Sequence, residues 1–210
     1  MNVNFYYTRQ KQAAGLGDAV NYAKGFTSDD PFIVALGDAV IENKDGGDSL
    51  LKRMLKVYQE KQPAFVVAVR EVARDQVSKY GILDIQQQGS DGCYLIKDLV
   101  EKPVVHEAPS NYAIAARYVF SPDLFNFLNR TLPGTGGEIQ LTDAMNMMLK
   151  HDYQAYAVPL TEHEMRHDIG TFESYFQSFI HFALKDKEYG YRIKQYLQSI
   201  MDDEDNQGRI

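Results

Sequence analysis

Two uninterrupted apolar runs set the strongest limit on what this chain can fold into. Residues 32–36 (FIVAL) and residues 65–69 (FVVAV) contain no polar side chain. Runs of this kind suit strands covered on both faces, because a strand with one wet face alternates polar and apolar residues. Between them, residues 50–58 carry apolar side chains at the spacing of an amphipathic helix. Pro63 ends that helix, and the order strand, helix, strand predicts a parallel α/β sheet.

The flanking segments extend this reading. Residues 3–8 are aromatic and β-branched and read as a strand. Residues 15–24 place Leu16, Ala19, Val20 and Ala23 on one helical face, and Asp29-Asp30-Pro31 breaks the helix. The middle of the chain changes character. Residues 81–87, 94–100 and 112–120 are strand-like, with a hairpin turn expected at residues 89–92 (GSDG). Residues 80–120 are therefore expected to form a small antiparallel subdomain inserted in the main sheet. Residues 124–128 and 141–149 return to helical spacing, residues 153–159 form another strand, and residues 171–184 and 191–201 are helical. Residues 202–205 begin an acidic tail, 202–210, that reads as frayed. The sequence carries no internal repeat or linker, so residues 1–201 read as a single domain.

Composition narrows the partners. Of 210 residues, 44% are hydrophobic, enough for a sizeable core. A net charge of −7 disfavours nucleic acids and anionic membranes, which attract basic surfaces. The single cysteine, Cys93, excludes a disulfide within the chain and a cysteine-rich metal site. Without a long apolar run or a signal-peptide pattern in residues 1–10, the expected location is the cytoplasm.

Several constellations could carry chemistry. Asp38 follows the first apolar run, and in open α/β sheets ligands bind beyond the carboxyl ends of strands. A carboxylate there can hold Mg²⁺ against phosphate oxygens, although an Asp after a strand can equally be a turn residue. Gln10 offers both a donor and an acceptor to a base edge, and Gly15 and Gly17 permit close backbone approach. Glu101 can accept hydrogen bonds from sugar hydroxyls and Lys102 can pair with a phosphate, or the two can form a solvated ion pair. Residues 134–143 combine glycines with a following helix that holds Thr142 and Asp143, and could be a plain connection. Asp168, in RHDIG, offers a second carboxylate, and an all-oxygen donor set favours Mg²⁺ over zinc. The five histidines show no H-x-x-x-H pair. Tyr175, Phe176, Phe179, Phe182 and Ala183 form a helical stripe expected to pack in the core or between subunits.

The order and wording of these segments go further than any one of them. RQKxxxGLGDAV, PFIVALGD, KYGIL, LVEKP, APSNYAIAARYVFSPDLF, GGEIQLTDA and HDIGTFESYFQSFIHFAL together resemble the bacterial UTP–glucose-1-phosphate uridylyltransferases of the sugar nucleotidyltransferase family. The resemblance runs from about Phe5 to Leu197. It implies a nucleotide-diphospho-sugar transferase-like (Rossmann-like) α/β fold with a mixed sheet flanked by helices. It implies that Gln10 and Gly15 hold uracil, that Gly81, Glu101 and Lys102 contact glucose and its phosphate, and that Asn111 lies near the sugar. It implies Asp38 and Asp168 as Mg²⁺ ligands, with Asp38, Lys102 and Asp168 as the catalytic set. The implied substrates are UTP and glucose 1-phosphate, the products UDP-glucose and pyrophosphate, and the C-terminal helices are implied in homo-oligomers.

One departure shapes these expectations. Relatives of this kind begin with a strand leading into G-x-G-T-R-x-x-P-x-T-K-x-x-P-K, which nothing in this sequence matches. The expected sheet is therefore N-terminally incomplete, through a truncated sequence, a partner-supplied piece or a degenerate relative, and an inactive truncated enzyme stays an open alternative for this chain alone. Two other readings follow: a non-catalytic sugar-nucleotide-binding or regulatory module, and a nucleotidyltransferase for another nucleotide or sugar.

Overall fold

The chain's structure is a computed structural model that describes residues 3–44, 46–88 and 92–207. By its internal contacts the chain groups into two compact units. One comprises residues 1–36 and 43–165, the other residues 37–42 and 166–210.

The first unit is built on a six-stranded sheet. Its strands in chain order are β1 (Phe32–Ala35), β3 (Phe65–Glu71), β4 (Gly81–Gln88), β5 (Tyr94–Glu101), β6 (Tyr112–Phe120) and β7 (Ala155–Pro159); the spatial order is β1-β6-β3-β7-β5-β4. β3 runs parallel to β7, whereas β6 is antiparallel to both β1 and β3, and β5 to both β4 and β7. The sheet is thus mixed: β1 and β3, whose succession predicted a parallel sheet, are separated by the antiparallel β6, and the parallel pair is β3 with β7. β3 is apolar because it is central, with Phe65 to Val69 fully buried. β6 lies between β1 and β3 and is buried along most of its length. It belongs to the central sheet, as do β4 and β5, so the strands of the antiparallel subdomain expected over residues 80–120 are instead members of that one sheet. The expected hairpin turn at residues 89–92 falls largely outside the described residues.

Register places aromatic rings opposite one another. Phe120 pairs with Phe32 on one side and Phe65 on the other, with ring centroids 5.8 and 5.9 Å apart. Phe125, from α4 (Leu124–Leu128), stacks on Phe32 at 4.9 Å. Such offset pairs add to plain area burial. The run at residues 32–36 was expected to be covered on both faces. It ends the sheet order, and its residues alternate between half-buried and exposed, with Ile33 42% exposed. An edge position, not sequence polarity, sets that alternation.

Helices complete the unit. α1 (Leu16–Asn21) and α2 (Lys24–Thr27) replace the single helix expected at residues 15–24. α3 (Leu50–Lys61) is capped by Ser49, whose hydroxyl accepts from the Lys52 amide. α5 (Leu141–Lys150) buries Leu141, Ala144, Met145 and Met148 at helical spacing and is tied to β5 where Asn146 Nδ2 donates to Leu99 O at 3.1 Å. Residues 3–8, expected as a strand, form none, because no ladder partner pairs with them among the described residues.

β2 (Ala39–Asn43) and β8 (Glu164–Asp168) form a separate two-stranded sheet. The second unit adds α6 (Phe172–Lys185) and α7 (Gly190–Gln207). Thr171 starts α6 with a reciprocal cap: its hydroxyl accepts from the Ser174 amide, and Ser174 Oγ accepts from the Thr171 amide, both at 3.2 Å. α7 continues through the acidic residues 202–205, so the tail expected to fray there is helical as far as Gln207. The aromatic stripe of α6 is not core: Phe176 and Phe179 are 56% and 62% exposed. No helix of the described residues is long and apolar enough to cross a membrane.

Candidate active site

In the first unit, Gln10 and Gly15 are brought together. Gln10 Nε2 donates to Gly15 O at 3.2 Å and to Asp18 Oδ2 at 2.7 Å, which fixes the amide against the start of α1. Gly15 has φ of 95°, and a Cβ there would stand 2.7 Å from Ile139 O. Only glycine meets both demands. The same carbonyl accepts from Gly17 N at 2.8 Å, and Ile139 N donates to Ala14 O at 2.8 Å. GLG and GGEIQ are therefore two halves of one construction. Arg9, Gln10, Lys11 and Tyr22 line an adjoining cavity of about 780 Å³.

Gly81, Glu101 and Lys102 form a second group. Gly81 opens β4 and pairs with Glu101 at the end of β5. A Cβ on Gly81 would lie 3.0 Å from Glu101 Oε2 and 3.3 Å from Thr142 Cγ2. The missing side chain lets the Glu101 carboxylate lie close against β4, with the Glu101 side chain 28% exposed. Lys102 has φ of 46°, uncommon for a residue with a side chain, and is held there by its amide donating to Tyr80 O at 3.0 Å. Its side chain is 63% exposed, and its ammonium lies 4.0 Å from Glu101 Oε1. So weak an exposed pair leaves the cation available to an anion. Thr142, inside α5, buries its side chain against Gly81, and its hydroxyl has no hydrogen-bond partner among the described residues.

Asn111 belongs to a different local network. Its Oδ1 accepts from Arg74 at 3.3 Å, and Arg74 also donates to the carbonyls of Ala108 and Ser110. Beside it, the Tyr112 hydroxyl lies 3.1 Å from that of Tyr94. That hydrogen bond, with burial, pushes the Tyr112 phenol up to about 12.

Asp38 and Asp168 meet in the second unit. The point where a Cβ of Gly170 would stand is 3.1 Å from Asp168 Oδ1 and 3.7 Å from Asp38 Oδ2. Ile169 N donates to Asp38 O at 2.8 Å and locks the two segments together. Asp168 is oriented from both sides: Gly170 N donates to Oδ1 at 2.9 Å, and Arg166 pairs with Oδ2 at 3.0 Å. Two neighbouring carboxylates, that of Asp168 held in orientation, offer oxygen donors only and suit a hard cation that keeps water or phosphate in its remaining positions. The donor set thus fits the Mg²⁺ expected there.

A third cluster in this unit was invisible to spacing. His167 Nε2 and His181 Nε2 both bond to Glu42 Oε2, at 3.1 and 2.9 Å, and Lys185 Nζ donates to Glu42 Oε1 at 2.6 Å. The Lys185 ammonium, against the opposing effect of burial and with help from the two imidazoles, holds the Glu42 carboxyl down at about 2.

The chain is similar to known proteins over most of its length. The chain is 36% identical over 196 residues to the UTP–glucose-1-phosphate uridylyltransferase of Streptococcus pneumoniae serotype 4, covering 93% of this chain and 64% of that protein. A crystal structure of UDP-glucose pyrophosphorylase complexed with UDP-glucose aligns with a TM-score of 0.79 and 38% identity, covering 87% of this chain and 67% of the other. The UTP-bound enzyme from Acinetobacter baumannii aligns with a TM-score of 0.79 and 32% identity, over 91% of this chain and 64% of the other. This chain therefore spans just under two thirds of the length of the S. pneumoniae relative. The sequence model described as nucleotidyl transferase matches residues 1–184, and the chain belongs to that family.

Proposed function

We propose that this chain serves uridylyl transfer from UTP to glucose 1-phosphate, giving UDP-glucose and pyrophosphate. A phosphate oxygen of glucose 1-phosphate attacks the α-phosphorus of UTP. The bond from that phosphorus to the α–β bridging oxygen breaks, and pyrophosphate leaves with the electron pair. No covalent enzyme intermediate is needed, so the protein contributes positioning and charge neutralisation.

Gln10 and the backbone at Gly15 would read the uracil edge, with the Gln10 amide already oriented by Asp18. Glu101, whose carboxylate the side-chain-free Gly81 lets lie against β4, would accept from glucose hydroxyls. Lys102 would pair with the sugar phosphate and lower the repulsion between two anionic reactants. Asn111 would act near the sugar through the loop that Arg74 holds. Asp38 and Asp168 would hold Mg²⁺, which supplies charge neutralisation at phosphate oxygens when bound. Arg166 keeps Asp168 turned toward that position.

The observation that carries this reading is the pairing of a side-chain-free Gly81 with Glu101 beside a strained Lys102. Names borne by the relatives support the choice of UTP and glucose 1-phosphate. Calorimetry with UDP-glucose and with UDP tests it. UDP-glucose should bind more tightly than UDP, and Glu101→Gln should remove that difference while leaving UDP binding intact. Equal affinity for both ligands in the unaltered chain would sink the assignment of the sugar subsite.

A further inference from the structure

We propose that Glu42, His167 and His181 form a binding site for a divalent transition-metal cation of the zinc class, separate from the Asp38–Asp168 pair. The site lies wholly within the second unit, drawing one ligand each from β2, β8 and α6. It does not depend on the proposed transferase reaction.

The geometry is nearly that of a loaded site. The three ligand atoms all lie within 4.8 Å of one another, and both imidazole Nε2 atoms already face one carboxylate oxygen at 3.1 and 2.9 Å. A zinc ion bound at about 2.0–2.1 Å spaces its ligands roughly 3.4 Å apart in a tetrahedron. Small side-chain rotations close that difference. The Nε2 protons that now point at Glu42 would leave on binding, since the metal takes the neutral imidazole through that nitrogen.

The surroundings resemble a supporting shell more than a surface ion pair. His167 is only 8% exposed and the Glu42 side chain 14%. The two imidazole centroids are 4.5 Å apart, and the Phe182 ring packs 4.8 Å from His167 and 5.3 Å from His181. An apolar wall of this kind restricts ring rotation and lowers the local dielectric. Lys185 holds the second carboxylate oxygen, which leaves Oε2 as the coordinating atom and sets the Glu42 rotamer.

Ligand chemistry selects the cation. Two imidazoles and one carboxylate suit Zn²⁺, Co²⁺, Ni²⁺ or Cu²⁺, whereas Mg²⁺ takes oxygen ligands. Three protein ligands leave a fourth position for water. Because His167 adjoins Asp168, a bound ion would also stiffen the backbone that presents the Asp168 carboxylate.

The test uses the whole chain stripped with a chelator. Zn²⁺ affinity is measured by competition with a chromophoric chelator in the presence of excess Mg²⁺. Cobalt(II) is then added and its visible absorption read for the intense bands of tetrahedral coordination. One Zn²⁺ per chain is expected. His181→Gln and His167→Gln should each weaken uptake by more than the about 10- to 100-fold that outer-shell changes produce. Asp38→Ala and His106→Gln should leave it unchanged, and circular dichroism checks that every variant is folded. His181 is part-exposed, so its variant reports on coordination even if the buried His167 variant unfolds. Absence of zinc uptake by the unaltered chain, or uptake that survives in His181→Gln, overturns the proposal.

Discussion

Gly81 faces Glu101 across the β4–β5 ladder so closely that a Cβ on Gly81 would stand 3.0 Å from the Glu101 carboxylate oxygen Oε2. The same Cβ would lie 3.0 Å from Ile114 Cδ1, so a methyl group has little room to settle. Gly81→Ala should therefore displace the Glu101 carboxylate from the position proposed for sugar binding. We expect overpacking to cost about 1–3 kcal/mol of stability. Affinity for UDP-glucose should fall by roughly tenfold or more, equivalent to about 1.4 kcal/mol, while affinity for UDP stays within about twofold. Calorimetry with both ligands separates the two effects.

Gly15 tests the junction between GLG and GGEIQ. With φ of 95° and Ile139 O 2.7 Å from the site of a Cβ, Gly15→Ala meets both strain and a backbone clash. A residue forced into such a region costs on the order of 1–3 kcal/mol. Gly25 is the control, since nothing lies within 4 Å of its Cβ position and it sits in α2. Gly25→Ala should be neutral or stabilising by about 0.4–1 kcal/mol. Urea midpoints of the two variants should move in opposite directions, or Gly25→Ala should not move.

The Tyr94–Tyr112 pair gives a pH signature. The Tyr112 phenol is raised from 10.0 to about 12, chiefly by its hydrogen bond to Tyr94 and then by burial. A raised phenol favours the neutral, folded form. Its stabilising contribution is complete below pH 10.0 and is lost as pH rises from there to about 12. Tyr94→Phe should bring the Tyr112 titration back toward 10.0, as read from the Cζ shift in tyrosine-labelled NMR spectra. An unchanged Tyr112 titration in Tyr94→Phe would assign the shift to burial and the Glu71 carboxylate.

The sequence made some of this legible and hid the rest for physical reasons. β3 could be read directly because a central strand must be apolar on both faces. β1 has the same composition but lies at the sheet edge, and edge position is set by partners distant in sequence. Residues 3–8 have strand propensity, yet propensity makes no strand without a ladder partner. β8, with the sequence EMRHD, is too polar and short to announce itself. Motif wording located Gly81, Glu101, Asp38 and Asp168, and the fold joins them pairwise as Gly81–Glu101 and Asp38–Asp168. The link between Gly17 and Ile139 has no signature in either motif alone. The Glu42–His167–His181 cluster could not be read from spacing, because Glu42 lies 125 residues from His167 and 139 from His181.

The most direct test of the central claim is UDP-glucose formation from UTP and glucose 1-phosphate with Mg²⁺, followed by pyrophosphate release, in the chain and in Asp38→Ala and Asp168→Ala. The account predicts UDP-glucose formation by the unaltered chain and a loss of about 10²-fold or more in each variant, the scale of removing one group that stabilises developing charge. No product from the unaltered chain, or formation indifferent to both carboxylates, would contradict it.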